Sequence, residues 1–224
     1  MPPADKPPSS WVALFDLDGT LTWRDTFLPF VCGFLLRHPL RIFGLWRLPG
    51  ALLSYWGNRD RGLLKSRLIR MSLHGVDRRT LDTWADHFVN ALHRDGRLRP
   101  VALRVLEAHR AAGDRLVLLS ASPDLYVPKI GALLGFERTL CTEIDWSGER
   151  LDGALKTANR RGAEKVQCLK WLRGQYGKLP VIAYGNSTSD LDHLSRADRA
   201  LLVNGSAGAR RAAQKLNVAT AEWS

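Results

Sequence analysis

The sequence has no stretch apolar enough to cross a bilayer as a helix. The uncharged runs of its first half, Thr26 to Leu36 and Leu48 to Asn58, are eleven residues each, and Arg37, His38, Pro39, Arg41 and Arg47 interrupt the chain between them. A spanning helix needs about 18–20 apolar residues. Cysteine is scarce too. Cys32, Cys141 and Cys168 are odd in number, scattered and without paired ligand spacing, which argues against a disulfide framework and points to reduced thiols in a cytoplasmic compartment. No internal repeat stands out. Residues 1–10 (MPPADKPPSS) lack the apolar core of a signal peptide and read as a disordered tail.

Acids are the minority charge. Against 33 Lys/Arg stand 22 Asp/Glu, a formal net charge of +11, and such a chain favours anionic partners. Yet no helix-turn-helix, zinc finger or aromatic RNA-binding signature is present, so no nucleic acid is expected. A basic nucleic-acid-binding protein is the non-enzyme alternative. What remains is a chain of 224 residues, 45% hydrophobic and 25% charged, long enough to bury a sizeable core.

The chain is organised around Trp11 to Thr22. Five largely apolar residues run without a charge, as a strand buried on both faces would. Asp16 and Asp18 follow two residues apart, a spacing that sets both carboxylates on one side where the strand ends. Acids at the carboxyl end of a buried strand are costly unless a cation or a reaction needs them. This is the candidate active site.

Residues 23 to about 98 read as helices, punctuated by Pro39 and Pro49. Leu64, Leu68 and Met71 form one stripe; Leu81, Trp84, Phe88 and Leu92 form the next, with Asp77 as its N-cap. From Arg99 helix and strand alternate. Pro100 suits a first helical turn and Gly113 its end. Strands are expected at 115–120, 179–184 and 199–203, a helix from Ser122-Pro123, a hairpin around Asp145 to Gly148, and a helix over 162–174. Such alternation predicts an α/β fold with a parallel sheet, whose ligands bind beyond the carboxyl ends of the strands.

Four segments in this order resemble the motifs of the haloacid-dehalogenase superfamily. They are Phe15-Asp16-Leu17-Asp18-Gly19-Thr20, Leu118-Leu119-Ser120-Ala121-Ser122-Pro123, Arg161-Gly162-Ala163-Glu164-Lys165, and Tyr184-Gly185-Asn186-Ser187-Thr188-Ser189-Asp190. The insertion between the first two resembles the helical cap of subfamily IB, the phosphoserine-phosphatase-like branch. The resemblance implies a Rossmann-like core at 11–22 and 99–224 with a cap at 23–98. It implies a phosphoric monoester hydrolase in which Asp16 is the nucleophile, Asp18 the general acid and base, Ser120 a phosphoryl contact shared with Ala121, and Lys165 the counter-charge. Mg²⁺ is expected on Asp16, the Asp18 carbonyl, Asn186 and Asp190. Asn186 stands where relatives carry aspartate, so weaker metal binding is expected.

The cap would choose the substrate. Residues 21–72 hold nine Lys/Arg against two Asp, interleaved with Phe, Trp and Tyr, a composition suited to a membrane interface. The segment Leu35 to Leu40 also resembles phosphatases of this branch that act on phosphatidylglycerophosphate. The substrate expectation is therefore a phosphorylated lipid head group, met by peripheral contact with an anionic membrane at its inner face. The alternative is phosphoserine or another small phosphorylated metabolite, with Asp25 for the ammonium and Arg70 for the carboxylate.

Overall fold

A computed structural model describes residues 11–58 and 60–223. The expected tail at 1–10, Arg59, Ser224 and the side chains of Arg47 and Asn58 lie outside the described residues. The chain opens with strand β1 (Val12–Phe15) and a wide turn at Leu17–Leu21. Helix α1 (Phe27–Arg37), a 3-10 segment (Pro39–Arg47), α2 (Leu48–Asn58), α3 (Arg61–Leu73) and α4 (Arg78–Arg94) make the insertion. Then come α5 (Pro100–Ala111), β2 (Arg115–Pro123), α6 (Val127–Leu133), β3 (Arg138–Thr142) and the hairpin β4 (Ile144–Ser147) with β5 (Arg150–Leu155). The rest is α7 (Ala163–Tyr176), β6 (Val181–Gly185), α8 (Leu191–Leu194), β7 (Arg199–Val203), α9 (Ala207–Lys215) and β8 (Ala219–Ala221).

The six strands other than the hairpin form one parallel sheet in the order β3-β2-β1-β6-β7-β8. β1 pairs with β2 on one side and β6 on the other, with Phe15 opposite Leu118 and Tyr184. The strand order therefore reverses at β1, and its carboxyl end is the crevice where such sheets bind ligands. All four β1 residues are fully buried. Each large apolar side chain so buried contributes about 1.5–3 kcal/mol, which holds the following acids in a rigid place.

The insertion is anchored by the expected stripe of α4: Leu81, Trp84, Phe88 and Leu92 are all buried. Asp77 caps that helix by accepting from Thr80 N at 2.9 Å. Trp84 lies so close to Gly33 of α1 that any Cβ there would meet its ring at 2.8 Å, and its Nε1 donates to Phe30 O at 3.1 Å. Among the described residues no helix is long and apolar enough to cross a membrane.

Two local expectations are corrected. Residues 122–123 continue β2, and the helix begins at Val127, where Pro128 occupies the first turn. The buried side of α3 is Gly62, Ile69, Ser72 and Leu73, while Leu64, Leu68 and Met71 are only half-buried. That helix is packed by the 3-10 segment, α2 and β5, so its burial does not follow one apolar stripe. The short edge strand β8 (Ala219–Ala221) has no apolar run and so carries no strand signal in sequence.

Candidate active site

After β1 the chain must reverse within a few residues. Gly19 makes this possible: its φ is +81°, and an added Cβ would lie 1.9 Å from the Asn186 amide nitrogen. Thr22 N closes the turn on Leu17 O at 3.1 Å. Asp16 and Asp18 consequently line the same cleft, of about 430 Å³, but meet different partners.

At the base of the cleft Lys165, from the first turn of α7, bridges two carboxylates. Its Nζ donates to Asp16 Oδ1 at 2.6 Å and to Asp190 Oδ1 at 2.7 Å. Thr20 Oγ1 donates to the other Asp16 oxygen at 3.1 Å. Asp190 Oδ2 accepts from Asn186 N, Ser187 N and Ser187 Oγ, which ties the turn after β6 to the site. Asp18 looks the other way. Its Oδ2 accepts from Ser122 Oγ at 2.6 Å, and its Oδ1 accepts from Thr26 N and Thr26 Oγ1 at 2.8 and 2.7 Å. Thr26 begins the insertion and also touches the Tyr126 hydroxyl at 2.9 Å, so the cap's entry is pinned to the general acid candidate.

One ammonium thus serves two buried carboxylates. Burial pushes Asp16 up to about 7 even against Lys165, and the charges of Asp190 and Asp18 add to the rise. Burial also opposes the charge of Asp190, yet Lys165, His193 and Ser187 hold its carboxyl well below the usual range. Lys165 is raised because Asp16 and Asp190 outweigh its own burial. Burial raises Asp18, with Asp25 adding and Ser122 and Thr26 opposing. His193, beneath the site, is kept neutral by burial and by Lys165.

The base of the cleft is short of positive charge, which is the condition that favours a hard cation. Among the described residues no three His, Cys, Asp or Glu side chains gather around one point. The reasons are local: the Asp18 side chain is engaged by Ser122 and Thr26, and Asn186 is an amide. What the cleft offers is the carboxylates of Asp16 and Asp190 and the Asn186 amide. That all-oxygen set fits Mg²⁺, which keeps several waters and takes one or two carboxylates plus a substrate phosphate.

The other expected residues separate. Asp25 and Ala121 line the cleft. Ser120 is fully buried, and its Oγ accepts from Ser122 N at 3.0 Å. Arg70 is not brought to the site: it pairs with Asp152 of β5 at 2.8 Å. Arg70 stands five positions after Lys65, a turn of about 140° around the helix. Lys65 instead enters the cleft, donating to Ala121 O and, at 2.9 Å, to Asn159 Oδ1. Burial lowers it to about 8. Arg24, Arg61 and Arg161 also line the cleft. Lys65, Ser122 and Thr26 were not singled out as site residues from sequence. The repeated Ser120-Ala121-Ser122 pattern was the available signal for Ser122; Lys65 was one basic residue among many.

A family model described as haloacid dehalogenase-like hydrolase matches residues 13–195. Protein CicA of Caulobacter vibrioides (strain NA1000 / CB15N) is 36% identical over 185 residues, 82% of each chain. A protein of unknown function from Bordetella pertussis Tohama I shares the fold with a TM-score of 0.77 at 22% identity, covering 95% of this chain and 98% of that one. A phospho-aspartyl intermediate analogue of phosphoserine phosphatase superposes with a TM-score of 0.62 at 14% identity, covering 91% and 90%.

Proposed function

The chain belongs to the haloacid dehalogenase-like hydrolases, and from that premise we propose that it is a Mg²⁺-dependent phosphomonoesterase working through an aspartyl-phosphate on Asp16. The observation that carries the reading is the division of labour between the two acids of one turn. Asp16 is held by a buried lysine, and Asp18 is held by two hydroxyls and a backbone amide in the same cleft.

In this reading an Asp16 carboxylate oxygen attacks phosphorus in line with the leaving oxygen. As that P–O bond breaks, Asp18 gives its proton to the leaving oxygen, and its raised pKa keeps a protonated fraction available. Water then attacks the phosphorus of the acyl phosphate, Asp18 takes its proton, and inorganic phosphate leaves with Asp16 restored. Mg²⁺, held through Asp16, Asp190, Asn186 and a backbone carbonyl, would neutralise charge on the phosphoryl oxygens. Lys165 keeps Asp16 oriented and offsets its charge. Arg24, Arg61, Lys65 and Arg161 supply the positive wall that draws an anionic substrate in.

For the substrate, the reading extends to a phosphorylated lipid head group such as phosphatidylglycerophosphate. The basic wall and the apolar insertion above it support this. Phosphoserine retains Asp25 as a partner for its ammonium but loses Arg70, which is committed to Asp152. Steady-state kinetics on vesicle-borne phosphatidylglycerophosphate, phosphoserine and a soluble chromogenic phosphate, each with Mg²⁺ or chelator, test both levels. Full turnover in chelator refutes the metal requirement, and a preference for phosphoserine refutes the lipid substrate.

A further inference from the structure

The insertion turns its apolar side chains outward. A 3-10 helix has three residues per turn, so the segment Pro39–Arg47 sets Leu40, Phe43 and Trp46 in a single row. All three project into solvent, as do Leu36, Leu53 and Trp56, and these six are 70–81% exposed. On α2 the positions Pro49, Leu52, Leu53 and Trp56 follow helical spacing along the exposed side, while Ala51 is buried. An amphipathic helix that covers a core would have the opposite orientation. Soluble monomers rarely expose large side chains in such continuity unless something covers them.

Charge identifies the occupant. No Asp or Glu occurs between Asp25 and Asp60, whereas Arg37, Arg41, Arg47 and Arg59 do. Arg37 lies over the Trp84 ring at 4.5 Å and meets His87 Nε2; Arg41 donates to His74 O at 3.0 Å. Neither is paired with a carboxylate among the described residues, so both carry their charge to the rim of the apolar rows. A second copy seated on this face would bring arginines against arginines. An anionic bilayer satisfies both features, because aromatic and aliphatic side chains enter the interface while arginines meet lipid phosphates.

The face also borders the cleft. α1 starts at Phe27 and α3 at Arg61, both cleft residues, and Tyr55 of α2 is within electrostatic reach of Arg161. We infer that residues 36–56 form a monotopic membrane-binding face whose partner is an anionic lipid surface, lying in the interface without crossing it. As a surface this stands on exposure and charge alone; as the device that presents substrate to the cleft it rests on the lipid-phosphate reading above.

The test is flotation of the full chain with vesicles of phosphatidylcholine alone or mixed with phosphatidylglycerol. The protein should float with the anionic vesicles only, and about 1 M salt, where the Debye length is about 3 Å, should weaken the binding. Phe43→Ser with Trp56→Ser should lower partitioning by about tenfold or more while hydrolysis of a soluble chromogenic phosphate is unchanged. Tryptophan quenching by brominated phosphatidylglycerol in the unmodified protein gives a readout that needs no variant. Absence of both flotation and quenching overturns the inference. So does wild-type partitioning of the folded double variant, or self-association that the double variant abolishes, which would assign the face to a second copy. Vesicle binding without turnover of any phosphomonoester would leave the membrane face standing and remove the catalytic reading instead.

Discussion

Replacing Asp16 with Asn separates catalysis from stability in a way the site geometry makes quantitative. The substitution keeps the shape of the side chain and an acceptor for Lys165, and it removes the charge. Burial lifts the Asp16 carboxyl from 3.8 to about 7, which penalises its charged form by about 4 kcal/mol. The native state therefore binds more protons than the unfolded chain between these values. Stability falls as pH rises through that window, and the full penalty is present above about 7. The amide carries no such penalty, and Lys165 retains Asp190 at 2.7 Å. In chelator, Asp16→Asn should be as stable as the wild type or more so at pH about 8, with the gap closing towards pH about 4. Mg²⁺ should narrow the gap from the other side, since a ligand at 100 times its Kd adds about 2.7 kcal/mol to the state that binds it. Turnover should fall by about 10⁴-fold or more, because an amide cannot form the acyl phosphate. Urea denaturation across pH, with and without Mg²⁺, and acid-quench trapping of phosphoprotein measure both sides. Turnover within an order of magnitude of wild type would refute the nucleophile. A variant that is less stable, increasingly so as pH rises, would show Asp16 to be a structural ion-pair partner instead.

Asn186→Asp should lower the Mg²⁺ concentration for half-maximal activity by roughly tenfold, since it adds a charge beside Asp16 and Asp190; titration calorimetry checks the affinity directly. Lys65→Met should raise KM by roughly tenfold below pH 8. In the wild type KM should climb as pH passes about 8 and Lys65 loses its proton, and the variant should show no such rise. Ser122→Ala removes the 2.6 Å bond to Asp18 while the two contacts from Thr26 remain. Its kcat should fall by roughly tenfold. The Ser122 bond lowers the Asp18 pKa, so the limb of the pH–rate profile belonging to Asp18 should move upward without it.

Much of this protein was legible one residue at a time. β1 declares itself as an uncharged apolar run ending in two acids, and the α4 stripe declares itself by helical spacing, because both signals are local periodicities of burial. The order of the four motif segments was enough to nominate Asp16, Asp18, Lys165 and Asp190. Asn186 could be seen as a departure because its place in the last segment is fixed by its neighbours. The hairpin around Asp145 to Gly148 is legible as alternation, and the structure turns it at Gly148, whose φ is +59°.

Local patterns were silent on facing. Arg70 and Lys65 are both basic and five positions apart, and only the docking of α3 against the hairpin strand β5 and the rest of the insertion decides which of them enters the cleft. Ser122-Pro123 reads as a helix start in sequence, but the pairing of β2 with β3 extends the strand through Pro123 and turns the Ser122 hydroxyl onto Asp18. The outward rows of the insertion belong to the same class. Composition could announce that apolar and basic residues alternate there, but an apolar side chain points to core or to solvent according to what packs behind it. For the 3-10 segment and α2 that surface is α3, against which both pack, so it exists only once the chain has folded.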